Sequence, residues 1–256
     1  MKLAVTNQKG GVGKTTTSVN LAASLAAMQR SVLMVDLDPQ GHATMGFGVD
    51  KNEAEKTVYD VLIAPEEMSG AVVSIESAGV DLVPSNVDLT GAELELIDLP
   101  RREYRLAEAL ANVDGYDYVI VDCPPSLGLL TLNGLVASDR ALIPIQCEYY
   151  ALEGLTALLQ TIERVTAAVN PGLTVEGIVR TMYDPRNSLT RDVSSQLGEH
   201  FAAELYRTVI PRNVRLAEAP SYGQAALHYD KDSAGAKAYL AMAGELVRRE
   251  RERQSN

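Results

Sequence analysis

No feature of this chain constrains its fold as sharply as the run Lys9-Gly10-Gly11-Val12-Gly13-Lys14-Thr15-Thr16 and the two segments that flank it. Ahead of it, Lys2-Leu3-Ala4-Val5-Thr6 is an apolar run that reads as a short buried strand; behind it, Thr15 to Met28 carries Val19, Leu21, Ala22, Leu25 and Ala26 at helical spacing. A glycine-rich turn between a strand and a helix reads as a phosphate-binding loop. Glycines let the backbone wrap closely enough for successive N–H groups to face phosphate oxygens, and the helix N-terminus adds the positive end of its dipole. On this reading Lys14 reaches the β/γ-phosphates and the Thr15 hydroxyl ligates Mg²⁺, within a nucleotide-binding run of Lys9, Gly10, Gly11, Val12, Gly13, Lys14, Thr15 and Thr16. The general pattern G-x-x-x-x-G-K-[ST] is not met, since Gln8 stands at its first position and an additional lysine, Lys9, lies inside the loop.

Two further apolar runs end in carboxylates. Ser31-Val32-Leu33-Met34-Val35 leads into Asp36-Leu37-Asp38-Pro39-Gln40-Gly41, and Tyr118-Val119-Ile120-Val121 leads into Asp122-Cys123-Pro124-Pro125-Ser126. In an open parallel sheet, ligands bind at the carboxyl ends of the strands. Alternation sends Asp36 and Asp38 to one side, so both can approach the phosphates, where a carboxylate can orient or deprotonate attacking water. Asp36 reads equally as a turn or helix-cap residue. Asp122 reads as the acidic end of a Walker B strand that holds Mg²⁺, which makes Thr15, Asp36 and Asp122 the candidate metal ligands.

The 256 residues are 46% hydrophobic, and apolar runs recur between helical stretches at Val80 to Val83, Val119 to Val121, Ala141 to Pro144, Val175 to Met182 and Arg207 to Ile210. No Pro/Gly/Ser linker interrupts them. That alternation predicts an α/β fold, a doubly wound, mostly parallel sheet with helices on both faces, as one domain over residues 1–256. No signal peptide and no membrane-spanning stretch is read, so a cytoplasmic protein is expected. Cys123 and Cys147 form no C-x-x-C pair and read as reduced core thiols, and His42, His200 and His228 share no ligand spacing.

The net charge of −11 is unevenly placed, because residues 50–117 hold five Lys/Arg against sixteen Asp/Glu, and the rest of the chain balances. Between Arg180 and Arg215 the excess is mildly basic and wholly arginine: Arg180, Arg186, Arg191, Arg207, Arg212 and Arg215. Arginine suits bidentate phosphate contacts, although a charge run is ordinarily a solvated face.

With Lys9 inside it, the loop resembles the deviant Walker A motif, K-G-G-x-G-K-[ST], of the ParA/MinD group of P-loop ATPases. Asp36 to Gly41, Val121 to Ser126, Gln146 to Gly154, Thr181-Met182-Tyr183-Asp184 and Ile210 to Ser221 look like the chromosomal ParA/Soj branch, over about Met1 to Leu246. The resemblance implies an enzyme, a Mg²⁺-dependent ATPase of chromosome or plasmid partition. In it ATP drives a sandwich homodimer, the dimer binds double-stranded DNA without sequence preference, and a ParB-like partner stimulates hydrolysis and release from the nucleoid. It implies that Lys9 contacts nucleotide held by the opposite subunit, that Asp38 serves the attacking water, and that Lys9, Lys14 and Asp38 are the catalytic set. Pro211 and Arg212 fall where the family contacts adenine, and Arg186, Arg215 and Arg212 where it contacts DNA. His42 stands where the branch usually has asparagine, and Cys123 where it has alanine or threonine.

Three rivals differ in partner. A ParA-like ATPase that positions a protein cargo on the nucleoid shares every motif. A MinD-like membrane-cycling ATPase needs an apolar face on its C-terminal helix, and none follows Val247 here. An iron–sulfur reductase needs bridging cysteines at positions that Cys123 and Cys147 do not occupy.

Overall fold

In the computed structural model, which describes residues 1–255, eight strands form one sheet. They are β1 (Lys2–Val5), β2 (Val32–Asp36), β3 (Val73–Ile75), β4 (Val80–Val83), β5 (Tyr118–Asp122), β6 (Arg140–Gln146), β7 (Thr174–Tyr183) and β8 (Leu205–Pro211), in the order β3-β4-β2-β5-β1-β6-β7-β8. Every neighbouring pair is parallel except β3 and β4. The doubly wound, mostly parallel sheet expected from the apolar runs is therefore present, with an antiparallel edge strand added.

Strand alternation divides the core. Leu33, Val35, Val119, Val121, Ala141 and Ile143 face one layer, which holds residues of the helices Val58–Ile63, Leu89–Leu96, Leu129–Val136 and Ala151–Ala168. Val32, Met34, Tyr118, Ile120 and Leu142 face the other, built on the helices Lys14–Ala27 and Ala234–Gln254. Runs that are buried on both faces read as unbroken hydrophobic stretches, which is why these strands stood out in the sequence.

From β1 the chain crosses to β2 on one side of the sheet, whereas from β5 it crosses to β6 on the other. Such a reversal opens a crevice at the strands' carboxyl ends. Register sets what meets there: Asp36 pairs with Asp122, and Asp122 with Val5, the last residue before the glycine-rich turn.

At the far edge, β8 lies against the C-terminal helix. Glu245 accepts hydrogen bonds from the Arg207 and Thr208 amides and the Thr208 hydroxyl at 2.8 to 2.9 Å, and Arg249 donates to the Leu205 carbonyl at 2.7 Å. An edge strand's free backbone groups are thereby capped by two side chains one helical turn apart.

Candidate functional site

The run Thr6 to Gly13 connects β1 to the Lys14–Ala27 helix with Gly11 and Gly13 at φ 74° and 85°. Only glycine takes those values without strain. The turn is fastened from outside, since the Thr181 hydroxyl donates to the Val12 carbonyl at 2.7 Å and Asn7 ties the Lys9 amide (3.0 Å) to the Pro144 carbonyl (2.8 Å). Lys14 is buried, and its ammonium donates to the Lys9 carbonyl at 3.0 Å, closing over its own loop. Burial pushes the Lys14 ammonium below its ordinary range, opposed by the negative charges of Asp122 and Asp38.

Asp36 and Asp122 lie side by side and fully buried. Burial is the largest cause that raises Asp36 to about 6 and Asp122 to about 7, and for Asp122 the charge of Asp36 comes next. Their fixings differ. Asp36 is pinned on both oxygens, by the Thr44 amide (2.8 Å) and hydroxyl (2.7 Å) on one and by the Asp38 amide (3.2 Å) on the other. Asp122 accepts from Ser18 at 2.8 Å through Oδ1, while its Oδ2 is buried without a partner. Such an orphaned oxygen beside the loop fits a cation, and Asp122 suits that duty better than the saturated Asp36.

Asp38 follows on a turn: its carbonyl accepts from the Gly41 amide (2.9 Å) and the Ser85 hydroxyl (2.8 Å), and its carboxylate from the Gln40 amide (2.9 Å). Gly41 sits at φ 63°, where a Cβ would come within 2.7 Å of the Ser85 carbonyl, so the turn requires glycine. Asp38 is half-buried, with the Lys14 ammonium in its field.

Two cavities flank the loop. One, of about 330 Å³, is lined by Gly13, Thr16, Met182, Pro211, Arg212 and Tyr239 among others, so Pro211 and Arg212 come together with the loop. The second, of about 430 Å³, is lined by Lys9, Tyr149, Tyr150, Asp184, Leu189 and Arg212 among others. Lys9 thus opens onto a face where Tyr149 and Tyr150 are 75% and 62% exposed, whereas Lys14 turns inward. Met182 borders both cavities in the left-handed region at φ 48°, a strained conformation for a residue with a side chain.

A family profile described as AAA domain matches residues 1–175. The chain is 49% identical to the chromosome partitioning protein ParA of Caulobacter vibrioides, over 99% of this chain and 96% of that one. It is also 49% identical to the chromosome-partitioning ATPase Soj of Thermus thermophilus, over 98% and 97%. The chain belongs to the ParA/Soj family of P-loop ATPases. A solved structure titled cobyrinic acid a,c-diamide synthase from Mycobacterium smegmatis, with bound ATP analog and magnesium, is 42% identical and superposes with a TM-score of 0.84 over 96% of this chain and 94% of that one.

In this ParA/Soj chain Arg186 and Arg215, unlike Arg212, line neither cavity beside the loop. Arg186 is 87% exposed on its side chain but makes a bidentate pair with Asp184 at 2.8 and 2.9 Å. Arg215 pairs with Glu218 at 2.8 Å and Asp230 at 3.2 Å. Neither is presented as a free cation: Asp184 and Glu218 are two and three residues away in the chain, and Asp230 is fifteen away from Arg215. Reading the sequence for loop and strand ends passed over Ser18, Thr44, Ser85 and Asn7, which orient the site without touching its centre. Ser18 alone carried a local signal, one helical turn beyond Lys14. The cysteines are buried and free, and burial pushes both thiols well up. No helix of the described residues is long and apolar enough to cross a membrane.

Proposed function

We propose that this ParA/Soj chain is an ATP-hydrolysing DNA-partitioning protein, folded as one domain, that works in the cytoplasm as an ATP-dependent homodimer. On this reading the dimer binds DNA without sequence preference, and a ParB-like partner triggers hydrolysis and release. The observation that carries it is the division of labour between the two lysines. Lys14 is buried over its own loop, while Lys9 opens on the face bearing Tyr149 and Tyr150, so Lys9 is available to a nucleotide held by a second subunit.

ATP is the substrate. Its phosphates lie against the Gly10 to Thr16 amides and Lys14, and its base in the cavity of Pro211 and Arg212, whose 330 Å³ falls at the small end of ligand pockets. Thr15 and the unpartnered oxygen of Asp122 would hold Mg²⁺, which would neutralise charge on the phosphates. Asp36 keeps Asp38 in place through the Asp38 amide rather than ligating directly. Asp38 orients the attacking water and accepts its proton as the γ-phosphoryl bond to ADP breaks.

Turnover and DNA retention measured together test this reading. ATP hydrolysis is expected to rise when the partner protein and DNA are both present, and DNA retention to require ATP and fall with ADP. Equal DNA affinity in ATP and ADP would contradict it.

A further inference from the structure

The turn that presents Asp38 is gripped from a strand it does not belong to. Strand β4 lies beside β2 with Val83 level with Val35, and two residues further on Ser85 reaches the turn that follows Asp36. Ser85 is fully buried and lines neither cavity beside the phosphate loop. It nevertheless meets the turn at three points. Its hydroxyl donates to the Asp38 carbonyl at 2.8 Å, its amide donates to the Thr44 hydroxyl at 2.9 Å, and its carbonyl lies so close to Gly41 that a Cβ there would stand 2.7 Å away.

These bonds close on themselves. The Thr44 hydroxyl donates to one Asp36 oxygen at 2.7 Å and the other Asp36 oxygen accepts from the Asp38 amide at 3.2 Å, so Ser85, Thr44, Asp36 and Asp38 form one ring of hydrogen bonds. Ser85, Thr44 and Asp36 are fully buried, where water competes little and each bond polarises the next. Asp38 enters the ring through its main chain, amide on one side and carbonyl on the other. Its carboxylate stays outside, with the Gln40 amide on one oxygen at 2.9 Å.

We infer that Ser85 is a positioning residue for the hydrolysis: through the Asp38 carbonyl it fixes where the Asp38 carboxylate meets the attacking water. Given the role proposed for Asp38, on which this assignment rests, the carboxylate has to lie within about 2.6 to 3.2 Å of the oxygen whose proton it takes. A misplacement of ~1 Å can cost as much as ~100-fold in rate. The second donor to the same carbonyl, the Gly41 amide at 2.9 Å, belongs to the turn and moves with it, and the Lys51 ammonium holds the Gln40 carbonyl at 2.8 Å from the solvent side. Ser85 is the tether that joins the turn to the sheet from within. Without its hydroxyl the turn keeps its own bond and is free to shift as a unit.

The experiment measures kcat and KM of the full chain with ATP and Mg²⁺, divided by the ATP-binding sites counted by titration so that unfolded protein does not enter, and follows the lifetime of the ATP-bound dimer by light scattering. Ser85→Ala removes one oxygen and leaves the Asp38 carbonyl paired with Gly41. It is expected to lower kcat about 10-fold with KM unchanged within about 2-fold, and to lengthen the dimer's life in the same proportion, because the dimer ends when ATP is cleaved. Thr44→Val breaks the ring one bond further on with a side chain of the same shape, and is expected to move kcat in the same direction. A wild-type kcat in either variant, or a loss confined to KM, would overturn the inference while an Asp38→Ala control that traps the dimer leaves the role of Asp38 standing. An Asp38→Ala dimer that decays at the wild-type rate would overturn both.

Discussion

At the scale of single residues the site rests on two carboxylates held differently, Asp38 and Asp122, and they should fail differently. Asp38→Ala removes the group proposed to serve the attacking water, so turnover should drop about 100-fold or more, within the ~10²–10⁴ that general acid–base groups contribute, while ATP affinity is retained. Near-normal stimulated turnover would remove Asp38 from that role. Asp122 makes a prediction about pH. Burial raises Asp36 and Asp122 above the ordinary carboxylate value near ~4, so between there and about 7 the folded nucleotide-free protein keeps protons that the unfolded chain has lost. Their contribution to stability is then greatest at low pH and is lost as pH rises through that window. Asp122→Asn, neutral throughout, should flatten the fall, and denaturant midpoints of both proteins from pH 4 to 8 would show it. Parallel curves would contradict the assignment.

At the scale of elements, the strands that carry chemistry were legible because burial on both faces writes them as continuous apolar runs ending in Asp36 and Asp122. The edges were not. β3 is three residues long with Val73 and Ser74 exposed, so it carries no hydrophobic signature and forms only as the return arm of a turn through Gly79 at φ 64°. Thr44 and Ser85 were silent, because a hydroxyl that fastens a residue of another element leaves no local pattern in the chain, whereas Ser18 stood one helical turn beyond Lys14. The charge of Arg186 and Arg215 was legible but its state was not, since an ion pair is a fact of geometry. The opposite edge carries its own prediction. Glu245 is 5% exposed and accepts three hydrogen bonds, from the Arg207 and Thr208 amides and the Thr208 hydroxyl of β8, so Glu245→Ala leaves two partly buried amides unpaired. Chemical denaturation should register a loss of roughly 2–3 kcal/mol, with Glu245→Gln retaining part of it. A change under about 0.5 kcal/mol would show that water replaces the carboxylate.

At the scale of the whole molecule, the proposed function asks an acidic protein to hold a polyanion, and the ion pairs of its arginines sharpen that requirement. On that proposal Arg186 exchanges Asp184, and Arg215 exchanges Glu218 and Asp230, for phosphates, so a single subunit offers few contacts at a cost. Doubling them in a dimer steepens the salt dependence, since log K falls by ~0.9 per neutralised phosphate per decade of salt. DNA affinity should therefore drop sharply between ~50 and ~200 mM salt and fall in Arg186→Ala or Arg215→Ala without loss of the dimer. Asp184→Asn should raise it by freeing Arg186, and an unchanged affinity in all three variants would move the DNA track to another surface. All of this depends on Lys9 completing a site it does not belong to. Sedimentation of wild type, Lys9→Ala, Lys14→Ala and Asp38→Ala with ATP and with ADP tests that dependence directly. Wild type and Asp38→Ala should dimerise with ATP alone, Lys14→Ala should lose nucleotide affinity, and Lys9→Ala should bind ATP and remain a monomer; a Lys9→Ala protein that dimerises with ATP and hydrolyses it at the wild-type rate would contradict the account.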